Sequence, residues 1–220
     1  LHIARLNSGM SLLQLQENGA WTLGFWQEAI ADLCKRSKIT KDARIKLSVF
    51  RDSIGWYTPI VNKAAFLLEV WALDTDGYEL NSKGLVVGCF EEIPKHTGPL
   101  ANIKSANSLP YVLAGVYAKK NQLDDALLLN EYERLVEASS SNLYLVKSNT
   151  IYTPALTEGC VAGVMREVIK KNVGFIEQGI PPAALLEADE IFLSNAIHGL
   201  QWVVGYQTKR YFNKVGKELH

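Results

Sequence analysis

Two methionines, three cysteines and seven prolines in 220 residues leave several classes of protein with little to be built from. Cys34, Cys89 and Cys160 are odd in number, share no CxxC spacing and have no histidine pair nearby. That speaks against a disulfide framework or a zinc centre and fits reduced thiols in a cytoplasmic protein. Net charge is also missing. The 23 basic residues balance 23 acidic ones, so nothing draws the chain non-specifically to nucleic acid. No apolar run approaches the roughly 20 residues that span a bilayer, and no secretory leader is visible. Also absent are the GxGxxG, Walker, HExxH and GxSxG patterns, an internal repeat and any low-complexity tract. The histidines at 2, 96, 198 and 220 are scattered and suggest neither a metal site nor a triad.

What remains is an ordinary globular composition, 48% apolar and 21% charged, long enough for one large domain or two small ones. The chain opens Leu1-His2-Ile3 without an initiator methionine, directly on a helical pattern, as expected if upstream residues are not represented. Ile3, Leu6, Met10 and Leu13 fall at helical spacing, and residues 24–36 repeat the signature with Phe25, Ala29, Ile30 and Leu33. The run 44–51 then alternates with period two, predicting a half-buried strand. Further strands are expected at 64–73, ended by a turn at 74–77, and at 85–90. The segment 94–99 holds two prolines and a glycine and reads as a linker.

The second half restarts with a helix carrying an apolar stripe of Leu109, Val112, Leu113, Val116 and Tyr117, ending near Lys119 and Lys120. Short strands are expected at 126–129, 135–137, 143–146, 150–152, 191–193 and 200–204. Helices are expected at 163–171 and 181–186, and the basic tail 209–217 reads as a terminal helix. Helices segregated from runs of strands predict an α+β protein with two subdomains. The division places residues 1–93 in a small N-terminal part, 94–103 in a linker and 104–220 in a larger part.

Two segments could hold chemistry. Leu135-Val136-Glu137-Ala138-Ser139-Ser140-Ser141-Asn142-Leu143 sets a carboxylate at a strand end before three serines and an asparagine. On local pattern alone this is a polar hairpin turn. Gly159-Cys160-Val161-Ala162-Gly163-Val164-Met165-Arg166 leads into a helix whose first N–H groups and positive dipole end suit a phosphate.

Taken in order, His2-Ile3-Ala4-Arg5-Leu6, Lys104 before a helix, Asp125–Leu129, Glu137-x-x-x-x-Asn142, Thr153-Pro154, Gly163-Val164-Met165-Arg166 and Asp189–Ala196 resemble the class IV, fold-type IV, pyridoxal-phosphate enzymes. That family holds branched-chain and D-amino-acid aminotransferases and 4-amino-4-deoxychorismate lyases. The resemblance implies a small α/β N-terminal subdomain and a larger mixed-sheet pseudo-barrel with helices. The family's first strands would lie before Leu1.

The resemblance also implies roles. Lys104 would bond the aldehyde of pyridoxal 5'-phosphate and move the substrate α-proton, work that suits an amine with a lowered proton affinity. Glu137 would hydrogen-bond the pyridine nitrogen, so that the ring withdraws electrons. Arg5 and the backbone of Gly163, Val164 and Met165 would hold the phosphate, Val161 would pack on the ring, and Asn142, Asn195 and Ala196 would complete the cofactor site. Arg51, at the end of a strand, would face the substrate carboxylate. Relatives that transaminate tend to carry threonine in the two phosphate-side turns, where Met165 and Ala196 stand here. This implies a lyase forming 4-aminobenzoate and pyruvate, a step toward folate. An aminotransferase acting on branched-chain or D-amino acids is the alternative, and a non-catalytic domain keeping the fold is the third reading. A homodimer acting on a small amino-acid-like substrate, with no metal, membrane or nucleic acid, goes with the resemblance.

Overall fold

In the computed structural model, which describes every residue except Asn18, Ala20 and Thr75, the two amphipathic stretches form α1 (His2–Leu12) and α2 (Leu23–Arg36). Thr22 caps α2, its Oγ1 accepting from Phe25 N at 3.2 Å, and Lys35 and Arg36 lie at the negative end of the helix dipole. The period-two run becomes β1 (Ala43–Arg51), paired antiparallel with β2 (Ala64–Ala72). Met10, Trp21, Trp26 and Ala64 are buried together, and edge-to-face contacts of 5.3 Å for Trp21–Trp26 and 4.9 Å for Trp26–Phe66 fill the space. The turn expected at 74–77 includes Thr75, which lies outside the described residues.

The chain divides into two compact units, Leu1–Gly77 and Tyr78–His220. This differs from a boundary at 93. The strand 85–90, placed in the N-terminal part by the sequence, is β3 (Leu85–Phe90) of the second unit's sheet. It runs parallel to β4 (Asp125–Leu129) and to β10 (Gly199–Tyr206). The segment 94–103 is no free linker either: Lys95 N donates to Leu129 O at 2.8 Å, and Thr97 Oγ1 donates to Glu131 Oε1 at 2.7 Å. Prolines and a glycine there shape a fitted loop instead of a hinge.

The sheet of the second unit runs β5 (Leu135–Ala138), β4, β3, β10, β9 (Glu190–Asn195), β6 (Asn142–Lys147), β7 (Thr150–Pro154), β8 (Ile176–Gln178), with β11 (Lys209–Arg210) added on β10. It curls until its ends meet, because Leu135 N donates to Ile180 O at 2.8 Å just beyond β8. Inside the curl pack Leu127, Leu129, Leu135, Leu143, Leu193 and Val203, all buried. Every residue of β4 is buried because both faces are covered. Leu127 and Leu129 point into the curl, while Ala126 and Leu128 meet α3 (Leu109–Lys120) outside.

Of the apolar stripe read on α3, Tyr117 packs inward on Phe90 while Leu109, Val112, Leu113 and Val116 face outward. Ala114 and Ala118 are the helix's buried residues, small enough to bring it close to the sheet, and Leu109, Val112 and Val116 remain 70%, 56% and 59% exposed. On another part of the sheet α4 (Val164–Asn172) packs Ile169 and Met165 against Tyr144 and Phe192. A 3₁₀ turn (Leu156–Glu158) and the short α5 (Ala184–Glu187) complete the connections. The tail is not one helix. It pairs first as β11, buries Tyr211 in the curl, and turns helical only at α6 (Val215–Leu219). There Glu190 accepts from the backbone N–H groups of Lys214, Val215 and Gly216. Among the described residues no helix is long and apolar enough to cross a membrane.

Leu193 is fully buried in the curl. Leu193→Ala should therefore lower stability by roughly 2–5 kcal/mol, read as a drop in the urea midpoint with an unchanged slope.

Candidate active site

Glu137 lies on β5 opposite Leu128 and is only 3% exposed. A carboxylate buried without donors costs several kcal/mol, so its partners decide whether the strand can hold it. Four donors converge. Lys95 Nζ at 2.5 Å and Tyr111 OH at 2.7 Å reach Oε1, whereas Val161 N at 3.1 Å and Asn142 Nδ2 at 3.4 Å reach Oε2. Lys95 is itself buried, donates to Ala101 O at 3.2 Å and lies 5.2 Å from the centre of the Tyr111 ring. Burial, and after it the Glu137 charge, hold the Tyr111 phenol far above its usual range, so its hydroxyl stays a donor.

Asn142, at the start of β6, knits the next layer. Its Nδ2 also donates to Val161 O at 2.9 Å, so Val161 is fixed through its backbone N–H and carbonyl alike. Its Oδ1 lies where a Cβ on Gly163 would stand, so any larger residue at 163 would displace it. Gly163 is the N-cap of α4 and offers no side-chain cap, which leaves the first backbone N–H groups of the helix, at Val164 and Met165, open to an anion. The Met165 side chain packs into the apolar cluster of α4, so Met165 contributes backbone only. Arg166, buried in the first turn, donates to Pro154 O at 3.1 Å, pairs with Glu177 at 2.9 Å and covers the Phe175 ring, pinning the helix start.

Asn195 ends β9, one residue past Ser194, which pairs with Asn142. Its Nδ2 donates to Ser141 Oγ at 2.9 Å, and its Oδ1 accepts from Ile197 N and His198 N at 2.9 and 2.8 Å. The side chain therefore shapes the turn that carries Ala196, whose carbonyl accepts from Tyr78 OH at 3.2 Å. Cys160, buried beside this layer, has its thiol pushed up to about 12 by burial and then by Glu137, which makes it an inert thiol.

Lys104 is exposed, four residues before the α3 N-cap Ser108. Its segment is tied to the same layer two residues upstream. Asn102 Nδ2 donates to Cys160 O at 2.7 Å and Leu156 O at 2.8 Å, and Asn102 O accepts from Ala162 N at 2.9 Å. Thus Glu137, Asn142 and Val161 are hydrogen-bonded together, Gly163 meets Asn142 and Val161, Asn195 joins through Ser141, and Val164, Met165 and Ala196 follow directly in the chain. The other two candidates belong to the first unit. Arg5 is half-buried on α1. Arg51 ends β1 and donates to Asn62 Oδ1 and, at 2.7 Å, to Leu13 O.

Lys95 and Tyr111 were not singled out by the sequence. Lys95 stands between Pro94 and Gly98 in what reads as a linker, and Tyr111 sits in an apolar helix. Their only signal was residue type, a lysine and a phenol lacking an obvious local partner. Two clefts of about 430 and 310 Å³ lie elsewhere on the second unit, lined respectively by Cys89, Tyr117 and Tyr206 and by Met165, Leu200 and His220. Neither is lined by Glu137.

The amino-transferase class IV family matches residues 1–206, and the chain belongs to that family, whose members are enzymes. It is 32% identical over 111 residues to the aminodeoxychorismate lyase of Vibrio harveyi, covering 48% of this chain and 41% of that one. To the branched-chain-amino-acid aminotransferase of Salmonella typhimurium it is 26% identical over 181 residues, covering 76% and 57%. The chain thus spans about half the length of these curated relatives. In fold it matches a branched-chain amino acid aminotransferase from Thermobaculum terrenum in its PLP form, with a TM-score of 0.83, 17% identity, and coverage of 99% of this chain and 74% of that one. The α+β, curled-sheet architecture expected from the sequence is that of fold-type IV.

Lys95→Met should leave a buried carboxylate short of its charged partner and cost about 3–5 kcal/mol in denaturant unfolding. Adding Glu137→Gln should recover much of that loss, a coupling that a double-mutant cycle measures directly.

Proposed function

We propose that this chain is the cofactor-binding part of a pyridoxal-phosphate lyase that converts 4-amino-4-deoxychorismate to 4-aminobenzoate and pyruvate. The observation that carries the reading is the buried Glu137 carboxylate linked through Asn142 to Gly163 at the uncapped start of α4. An acceptor for a ring nitrogen and open N–H donors for a phosphate are the two ends of such a cofactor, so the donor set fits the group. The cofactor-bound relative of the same fold supports the same reading.

When bound, the cofactor withdraws electrons from the carbon that bears the substrate amine. Glu137 would hold the ring nitrogen through Oε2. Val164 and Met165 would give backbone N–H groups to the phosphate, with Arg5 as its charged partner and the Asn195–Ala196 turn beside it. Val161, pinned through its backbone, would set its side chain against the ring. Lys104 would hold the aldehyde end of the cofactor, and its amine would take the proton from the carbon that bears the substrate amine. Loss of the enolpyruvyl ether as pyruvate then makes the ring aromatic, with no oxidant consumed. Arg51 would bind a substrate carboxylate by exchanging its bonds to Asn62 and Leu13 for bidentate ones. The lyase is preferred because Met165 and Ala196 stand where transaminating relatives tend to carry threonine, and the Met165 side chain packs, partly buried, against the apolar cluster beneath α4.

The second reading, an aminotransferase using 2-oxoglutarate, draws on the match that covers 76% of this chain. Both readings go with a homodimer, for which the outward stripe of Leu109, Val112 and Val116 offers an apolar face.

The full-length protein with pyridoxal phosphate and aminodeoxychorismate should release pyruvate, and Lys104→Ala should lower that rate by at least about 100-fold. Amino transfer from leucine to 2-oxoglutarate with no pyruvate release would reject the lyase in favour of the second reading. Gly163→Ala, by displacing Asn142, should weaken cofactor retention about tenfold or more in an absorbance titration.

A further inference from the structure

We infer that Tyr111 is a positioning residue that divides the labour between the two oxygens of Glu137, reserving Oε2 for the ring nitrogen of the cofactor. The inference rests on the reading of Glu137 given above. It starts from an asymmetry. Oε1 accepts the two short bonds, 2.5 Å from the Lys95 ammonium and 2.7 Å from the Tyr111 hydroxyl, while Oε2 accepts only 3.1 and 3.4 Å bonds from the Val161 amide and the Asn142 side chain. A carboxylate oxygen offers about two acceptor positions; both are taken by short bonds on Oε1, whereas the 3.4 Å Asn142 contact on Oε2 is longer than the usual N–H···O range and leaves a position for a further donor.

The geometry also fixes which way the carboxylate can turn. Lys95 is anchored at its other side by the Ala101 carbonyl, and its ammonium lies over the Tyr111 ring, so Lys95 and Tyr111 hold each other as well as Oε1. Tyr111 sits near the start of α3, a helix packed on β3 and β4, and β4 is the strand that pairs with β5 beneath Glu137. The donor and its acceptor therefore ride on one rigid stack. The groups facing Glu137 are Lys95 from the 94–103 loop, Tyr111 from α3, Asn142 from β6, and Val161 with the neutral Cys160 thiol from the segment before α4.

A donor on Oε1 draws charge away from Oε2. Removing the phenol hydroxyl leaves more charge on Oε2, which then holds the ring proton more tightly, while Lys95 still anchors the carboxylate. A tyrosine serving packing alone would leave the ring nitrogen indifferent to its hydroxyl.

The test loads the full-length protein with pyridoxal phosphate carrying nitrogen-15 in its ring and compares wild type with Tyr111→Phe. Expected are cofactor retention within about threefold of wild type and a ring-nitrogen resonance displaced away from that of a fully protonated ring, toward that of an unprotonated one. Fluorotyrosine at 111, a stronger donor of the same shape, should displace it the opposite way and keeps the test available if Tyr111→Phe does not fold. Bound cofactor with one unchanged resonance in all forms overturns the inference and leaves the proposed function standing. A wild type that yields no bound-cofactor signal overturns the reading of Glu137 itself, and the inference with it.

Discussion

A salt bridge buried in the wall of a curled sheet governs the second unit. Lys95 and Glu137 are each less than a tenth exposed, and taking both charges out of water is costly enough that the pair persists only with further hydrogen bonds around it. The tyrosine, the asparagine, a backbone amide and a carbonyl supply those bonds. Meeting this demand brings four separated stretches of chain to one place: the loop around 95–101, the start of α3, the β5–β6 turn, and the segment before α4. Replacing such a pair with apolar residues is often neutral or stabilising, so its retention points to a use beyond stability. The proposed function would give it one, a carboxylate set to receive a heterocyclic nitrogen.

The same arrangement explains why Gly163 and Asn142 go together. Asn142 needs the space that a side chain at 163 would take, and in return it fixes the backbone of Val161 just before the helix begins. Position and charge are thereby coupled: the residue that fills the space beside Gly163 is also the one that completes the carboxylate's donor set.

Much of the fold was legible because period and punctuation agree. The alternation of 44–51, the helical spacing within 24–36 and the glycine-led entry to α4 are local signals, and each element formed where its residues favour it. The turn between Glu137 and Asn142 was legible for the same reason, since a polar run between two strands reads as a hairpin, whereas singling out these two residues came from the family resemblance. Illegible features depend on contacts distant in sequence. Lys95 reads as a solvated charge among prolines because its partner lies 42 residues away. The outward stripe of α3 misleads because the sheet is approached through Ala114 and Ala118, whose small size matters only once the sheet exists. The 209–217 tail was read as one helix, yet burial of Tyr211 and capping by Glu190 are decided by β9 and β10.

The bond from Leu135 N to Ile180 O joins the two ends of the sheet. β5 is four residues long, and a short terminal strand with one side open would fray on its own. Held by β4 along one side and by the Leu135–Ile180 bond on the other, it should release its amides to solvent less readily than a free edge strand. The acid at its centre should share that protection, keeping its orientation through the local openings that exposed turns undergo.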